Sequence, residues 1–97
     1  MKYVLSFDIL PGKANEFWQF MERTAVPFWR KFPEVRSFEV YATVGGRALY
    51  EAQIEFPDYT VFERIHSDPE WKNVSHGFMG LVNRLHREFL TDERKFK

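Results

Sequence analysis

The sequence predicts an α+β domain whose elements follow the order β-α-β-β-α-β. Three observations lead to this prediction. Residues 2–9 alternate between apolar and polar side chains, as in a strand that is buried on one face. Residues 14–32 carry apolar side chains at three- and four-residue spacing, as in an amphipathic helix. Two further alternating segments flank Gly45-Gly46, as in a β-hairpin.

Proline and glycine delimit the first strand and the first helix. Pro11-Gly12 ends the strand, whose apolar face consists of Tyr3, Leu5, Phe7 and Ile9. The apolar stripe of the helix consists of Phe17, Phe20, Met21, Thr24, Ala25, Phe28 and Phe32. Pro27 lies inside this pattern and lacks a backbone N–H, so we expect the helix to kink or split near residues 23–26. Trp18 and Trp29 fall outside the stripe and are candidates for a dimer interface or for exposed aromatics, with core or interface as the favoured interpretation.

The second half of the chain predicts a hairpin, two short helices and a last strand. Residues 38–43 pair with residues 48–56, and Gly45-Gly46 supplies the positive-φ turn. Asp58 caps a short helix, a second helix runs from about Pro69 to the low eighties, and the segment LHREFLT is a candidate strand. These elements predict one ferredoxin-like domain over residues 1–97, with a four-stranded antiparallel sheet and its helices on one face.

Composition argues against several classes of protein. Lys and Arg together number 14, as do Asp and Glu, so charge gives no reason to favour nucleic acid or an anionic membrane. The chain has no Cys, which removes disulfides, thiolate nucleophiles and thiolate metal ligands. No apolar run approaches the ~20 residues of a membrane span, and the alternating N-terminal segment does not resemble a signal peptide. We therefore expect a cytoplasmic protein.

The aromatic content gives a reason for self-association. The 11 Phe, 4 Tyr and 3 Trp carry more apolar surface than one small core needs. The sheet face predicted to point away from the helices is mixed, with Val4, Ser6, Asp8, Glu39, Tyr41, Thr43, Leu49, Glu51 and Gln53. Such a face suits a sheet that packs on its twin, so we expect a homodimer. Carboxylates buried there need partners, for which Arg36, Arg47 and Arg87 are candidates.

Three stretches resemble the dimeric α/β-barrel superfamily, which includes the antibiotic biosynthesis monooxygenase-like, stress-responsive barrel and NIPSNAP-like proteins. They are the first strand running into LPGKANEFWQF, the VGG hairpin with its aromatic-rich return strand, and FERIHSDPEW. The resemblance implies a homodimer in which two sheets face each other in a barrel with the helices outside. It also implies a ligand cavity between a subunit's own sheet and helices, as used by cofactor-free oxygenases, isomerases, cyclases and haem-handling proteins.

The segment HSDPEWKNVSHGFMG, residues 66–80, is explained mainly as a helix start. Asp68 caps the helix with Pro69 at its first position, or Ser67 caps it with Glu70 as reciprocal partner. His66 and His76 are ten residues apart, which is about 280° around a helix, so the two side chains do not share a face. Without Cys or H-E-x-x-H spacing we predict no metal and no cofactor.

His76 is the candidate catalytic residue, as a general base for a phenol-like or β-dicarbonyl substrate. The alternative is a boundary histidine bonded to backbone or water. The candidate ligand-binding residues are Trp71, Phe78, Tyr50 and Phe7. The glycines Gly77 and Gly80 indicate close helix packing or room for a ligand.

The predicted function is binding of an apolar or aromatic small molecule, with cofactor-independent monooxygenase or isomerase chemistry. Two alternatives stay open at this point. One is a non-enzymatic oligomeric structural or stress protein, and the other is a haem- or metal-binding protein that uses a histidine.

Overall fold

The computed structural model describes all 97 residues and contains one four-stranded antiparallel sheet covered by helices on one side. The elements are β1 (Lys2–Ile9), α1 (Ala14–Phe20), a π-helical segment (Met21–Ala25), α2 (Val26–Arg30), β2 (Ser37–Ala42), β3 (Tyr50–Glu55), α3 (Tyr59–His66), α4 (Trp71–Met79) and β4 (Val82–Leu90). The strand order is β2-β3-β1-β4. The ferredoxin-like arrangement predicted from the sequence is therefore confirmed.

β1 lies inside the sheet and fixes which way its neighbours face. Leu5 is opposite Ala52 of β3 on one side and Arg87 of β4 on the other. Residues directly opposite each other in antiparallel strands share a face, so these three side chains extend toward the helices. Val4 and Ser6 extend from the other face, which we call the open face because no helix covers it.

The hairpin loop is longer than the predicted two-residue turn. β2 ends at Ala42 and β3 begins at Tyr50, so residues 43–49 form the connection. Gly45 has φ of +71° as predicted, whereas Gly46 is not in the positive-φ region. The backbone N–H of Leu49 donates to the Asp8 carboxylate over 2.8 Å, which draws this residue to β1.

The predicted split of the first helix is confirmed, and it takes the form of a π-helical segment. Pro27 lies in the first turn of α2, directly after this segment. A π-helix has more residues per turn than an α-helix, so the residues after it are rotated relative to the α-helical spacing. Consequently Thr24 is exposed and Trp29 is only 5 % exposed in the core. Trp29 thus belongs to the core although the helical spacing put it outside the apolar stripe, whereas Trp18 is 40 % exposed.

Neither capping alternative is correct, because the N-cap of α4 is Glu70, which has no side-chain capping hydrogen bond, and Pro69 lies before the helix. Asp68 Oδ1 accepts a hydrogen bond from the backbone N–H of Glu70 over 2.9 Å. Ser67 Oγ instead donates back to the carbonyl of Glu63 over 2.8 Å, so it does not cap α4. The helix itself begins at Trp71, two residues after Pro69.

α4 ends earlier than predicted. Its last residue is Met79, and Val82 already pairs with Ile9 as the start of β4. The backbone N–H of Leu10 donates to the carbonyl of Leu81 over 3.0 Å. Residues 81 and 82, whose apolar spacing also suited a helix, therefore pair with β1 instead. This pairing confirms the candidate last strand.

The main core lies between the helices and the sheet. It contains Phe7, Phe17, Ile54, Phe56 and Ile65, each at most 1 % exposed. No helix of the protein has the length and apolar character needed to cross a membrane.

Candidate functional site

A cavity lies between the sheet and the helices, with 12 hydrophobic residues among the 14 that line it. Its volume is about 50 Å³ and it is partly open to solvent. At ~10–15 Å³ of such space per water molecule, it has room for about four waters. All four strands contribute to the floor, while α2, α4 and the π-helical segment form the walls.

Two alanines make room for the cavity. Ala52 of β3 and Ala25 of the π-helical segment both line it, with exposed fractions of 2 % and 4 %. Larger residues surround them, among them Leu5 and Trp29. In a core packed to the usual density, two small side chains among large ones leave space unfilled.

Aromatic rings form much of the cavity wall. Trp29 and Trp71 meet edge to face, with ring centroids 5.9 Å apart and an interplanar angle of 84°. Phe78 meets Phe7 in the same way, at 5.1 Å and 82°. Such contacts hold the rings in fixed orientations. The cavity is therefore bounded by fixed aromatic surfaces that suit a flat apolar ligand.

The polar groups of the cavity are few. Tyr3, Ser75 and Arg87 supply them, and Arg87 is the only charged residue in the lining. Arg87 forms no ion pair with a carboxylate of the protein. Burial raises the pKa of the Tyr3 hydroxyl, and the nearby Arg87 guanidinium acts in the opposite direction. An unpaired guanidinium beside an apolar cavity can stabilise an anionic oxygen of a ligand.

Two of the four predicted ligand-binding residues line the cavity. Trp71 and Phe78 do so, whereas Phe7 and Tyr50 do not. Phe7 is fully buried, and its ring stacks on that of Tyr50 at 6.0 Å while also touching Phe78. Phe7 and Tyr50 thus lie behind the cavity wall, and their role in binding stays a prediction.

His76 lies on α4 but does not line the cavity. Its side chain is exposed, and its neighbours Ser75 and Met79 are the ones that reach the lining. Residues three apart on a helix lie one above the other, so His76 is one turn from Met79, which is 40 % exposed. The structure therefore places His76 near the solvent side of the cavity wall, and its catalytic role stays a prediction.

The sequence interpretation missed the position of Arg87. It treated this residue as a rim charge for carboxylates on the open face. In the structure Arg87 stands on the helix side of β4, between Leu85 and Phe89 in the alternation. In the sequence, Arg87 could have been recognised as a charged residue at a position where the alternation of the strand places side chains toward the helices.

The three carboxylates that the sequence predicts on the open face are engaged by other residues. The Tyr41 hydroxyl donates to Glu39 over 2.8 Å, and the Gln53 amide donates to Glu51 over 2.7 Å. The hydrogen bond to Glu39 raises the pKa of Tyr41. Asp8 pairs with Arg84 at 3.2 Å, so the cation bound there is not one of the three predicted. No three His, Asp or Glu side chains lie close enough together to hold a metal ion.

No protein-family model and no curated protein sequence matches the chain. Solved structures do match it. SnoaB, a cofactor-independent oxygenase from Streptomyces nogalater, has a TM-score of 0.79 at 18% identity, over 98% of this chain and 94% of SnoaB. This chain has the fold of SnoaB.

Other solved structures agree on this fold. A proposed antibiotic biosynthesis monooxygenase from Caulobacter crescentus has a TM-score of 0.77 at 13% identity, over 96% of this chain and 89% of that protein. A NIPSNAP domain protein from Burkholderia xenovorans has a TM-score of 0.67 at 16% identity, over 95% and 93%. The predicted resemblance to this superfamily is confirmed in the fold, which is what similarity at such identities shows.

Proposed function

We propose that the protein binds an apolar or aromatic small molecule in the cavity between its sheet and its helices and oxygenates it without a cofactor. The observation that carries the proposal is the cavity, an aromatic enclosure with Arg87 as its one charged residue. The fold shared with SnoaB, a cofactor-independent oxygenase, supports the same kind of chemistry.

Binding requires the cavity to widen. A volume of about 50 Å³ is well below the ~300 Å³ at which ligand pockets usually begin. Met79 lines the cavity, is 40 % exposed and has an unbranched, flexible side chain, so it is the residue that moves at least cost. We therefore expect a ligand to enter past Met79 and to lie against Trp71 and Phe78, with Phe7 and Tyr50 supporting Phe78.

The proposed reaction draws its electrons from the substrate. A phenol loses its proton, and dioxygen reacts with the phenolate at a ring carbon. One oxygen atom stays on the ring as a carbonyl, and the other leaves as water with the hydrogens of the hydroxyl and the ring carbon. The apolar walls exclude water from the anion, Arg87 stabilises its charge, and His76 takes the proton at the exposed end.

A cavity-filling substitution tests the binding site. Ala52→Val adds two methyl groups at the cavity floor, so we expect affinity for 1-naphthol to fall by about tenfold, or ~1.4 kcal/mol. Ala42→Val, on the exposed part of β2 outside the lining, is the matched control. Isothermal titration measures both affinities. Equal affinities in the two variants would place the binding site elsewhere.

Oxygen consumption tests the chemistry separately. With 1-naphthol bound, the protein should consume dioxygen faster than buffer alone, and Arg87→Gln and His76→Ala should each slow it. If a bound phenol is not oxidised faster than in buffer, the oxygenase activity is rejected while the binding site stands. If His76→Ala alone leaves the rate unchanged, His76 is not the base.

We also propose that two copies associate through their open faces. The two centre residues of that face, Val4 and Ser6, are already buried within one chain, at 3 % and 7 % exposed. Large apolar side chains remain exposed toward its two edges, with Tyr41 at 45 % and Leu90 at 47 %. A second sheet would cover these side chains, and Asp8, Glu39 and Glu51 of this face already have partners within the chain.

A further inference from the structure

A second, larger groove lies on the far side of the wall formed by Trp29 and Phe38. It runs between the end of α2 and the start of β2 and has a volume of about 340 Å³. Trp29 and Phe38 line both this groove and the cavity of the proposed function. Their rings meet edge to face, with centroids 6.2 Å apart. The two spaces are therefore neighbours separated by one aromatic contact.

The charges of this groove are all positive. Arg30 and Arg36 line it, and no Asp or Glu does. Both arginines are exposed, and neither forms an ion pair with a carboxylate. The rest of the lining is apolar apart from Ser37. Two guanidinium groups beside an apolar surface match a ligand that has an anionic group and an apolar body.

Three acidic side chains of the α2–β2 connection and of the α3–α4 break are bound to other residues. Glu34 pairs with Arg64 of α3, and that hydrogen bond lowers the pKa of Glu34. Asp68 and Glu70 both pair with Lys31, at 3.2 and 3.4 Å. These carboxylates therefore do not neutralise Arg30 and Arg36, whose positive charge is left for a ligand.

We propose that the groove binds an amphipathic organic anion, whose phosphate or carboxylate group is held by Arg30 and Arg36 and whose apolar body lies on Trp29 and Phe38. This site is separate from the proposed oxygenase cavity and does not depend on its activity. Guanidinium groups bind phosphate and carboxylate groups alike through paired N–H donors, so the same two arginines suit either anion. A dianionic phosphate can balance the charge of both arginines, whereas a carboxylate balances only one.

Isothermal titration with three matched probes tests the proposal: 2-naphthyl phosphate, 2-naphthoate and neutral 2-naphthol. We expect saturable binding of an anionic probe that weakens as salt is raised, because exposed charges are screened. Tighter binding of the phosphate assigns a phosphate ligand, and tighter binding of the naphthoate assigns a carboxylate. No saturable binding of either anion, or anion binding that does not weaken as salt is raised, would overturn the proposal, and 2-naphthol reports the binding that needs no anionic group.

The decisive variant is Arg30→Gln with Arg36→Gln, in which we expect affinity for the anionic probe to fall at least about tenfold. The control is Arg23→Gln with Arg94→Gln, which removes the same charge from two other exposed positions and should leave affinity nearly unchanged. Equal losses in both pairs would mean that net charge, not the groove, governs binding.

Backbone amide chemical shifts locate the probe. Changes centred on residues 30–38 support the groove. Changes confined to Ser75, Met79 and Arg87 would place the probe in the cavity and overturn this proposal, while supporting the proposed function. The chemical shifts of two different sets of residues therefore test the two proposals separately.

Discussion

At the residue scale, Asp68 shows how one side chain both shapes the break before α4 and makes stability depend on pH. It accepts the backbone N–H of Glu70 and pairs with Lys31 of the α2–β2 connection at 3.2 Å. These contacts lower the pKa of Asp68, the backbone hydrogen bond most and Lys31 less. Asp68 therefore ties α4 to the helix pair that precedes β2.

The lowered pKa fixes the sign of the pH effect. Because folding favours the ionised carboxyl, Asp68 stabilises the fold above its unfolded pKa of ~3.9, and this contribution is lost as pH falls through the lower folded value. Asp68→Asn should therefore lower the melting temperature at neutral pH and show a smaller further loss below about pH 4. Thermal unfolding followed by circular dichroism from neutral to acidic pH measures both effects.

The control is Asp92→Asn in the exposed C-terminal tail, where a similar pair with Arg94 joins two side chains that are each 74 % exposed. This variant should follow the parent protein at every pH. If the two variants have the same pH profile, the contacts of Asp68 do not contribute to stability.

The same scale shows which site residues sequence reasoning can reach. Trp71 and Phe78 were predictable, because the helical spacing of α4 places both on the face that meets the sheet. Arg87 was not, because its role depends on the register of β4 against β1, which only strand pairing fixes. His76 has the chemistry of a base, but Ser75 and Met79, four and eight residues after Trp71, share the face of Trp71 and reach the cavity in its place.

At the element scale, the π-helical segment is what the sequence pattern could not provide. Pro27 correctly predicted a break, since it removes a hydrogen bond donor. Proline does not, however, determine whether the chain responds with a kink or with wider turns. The wider turns bury Trp29 and expose Thr24. This matters for function, because Trp29 and Phe38 form the wall shared by the cavity and the groove.

The packing of α4 against α1 depends on Gly77. A Cβ placed there would lie 2.5 Å from Cε1 of the Phe20 ring, whereas at Gly80 the nearest atom is 3.5 Å away. Overpacking costs ~1–3 kcal/mol and alanine regains ~1 kcal/mol of helix propensity, so we expect Gly77→Ala to destabilise the protein by about 1 kcal/mol. Urea denaturation measures the change.

Gly80→Ala provides the matched comparison at the end of the same helix. Gly80 has φ of −73°, which any residue adopts, and no close neighbour. It should be neutral or slightly stabilising. If Gly77→Ala proves as stable as Gly80→Ala, the Phe20 ring moves freely and the contact between α1 and α4 is loose.

At the scale of the whole molecule, the two faces of the sheet differ in what packs against them. The helix side holds the core and the cavity, and its composition explains the fold. The open face has buried small residues at its centre, hydrogen-bonded carboxylates around them and two large apolar side chains, Tyr41 and Leu90, toward its edges. Such a face is neither fully polar nor fully apolar, which is typical of a surface that packs against another protein surface.

The proposed dimer is tested by placing charged residues on the open face at positions that are exposed in the single chain. Tyr41→Lys with Leu90→Lys adds two charges at exposed positions, so each chain should still fold, whereas two facing sheets would bring four such charges together. We expect the parent protein to sediment as a dimer and this variant as a monomer. Gln19→Lys with Thr60→Lys adds the same charge to exposed helix positions and should leave the dimer intact.

Because a dimer gains stability by mass action, the parent's unfolding midpoint should also rise with concentration. A parent midpoint that is constant over about a hundredfold dilution, together with equal sedimentation of both variants, would show that the open face has no second sheet upon it.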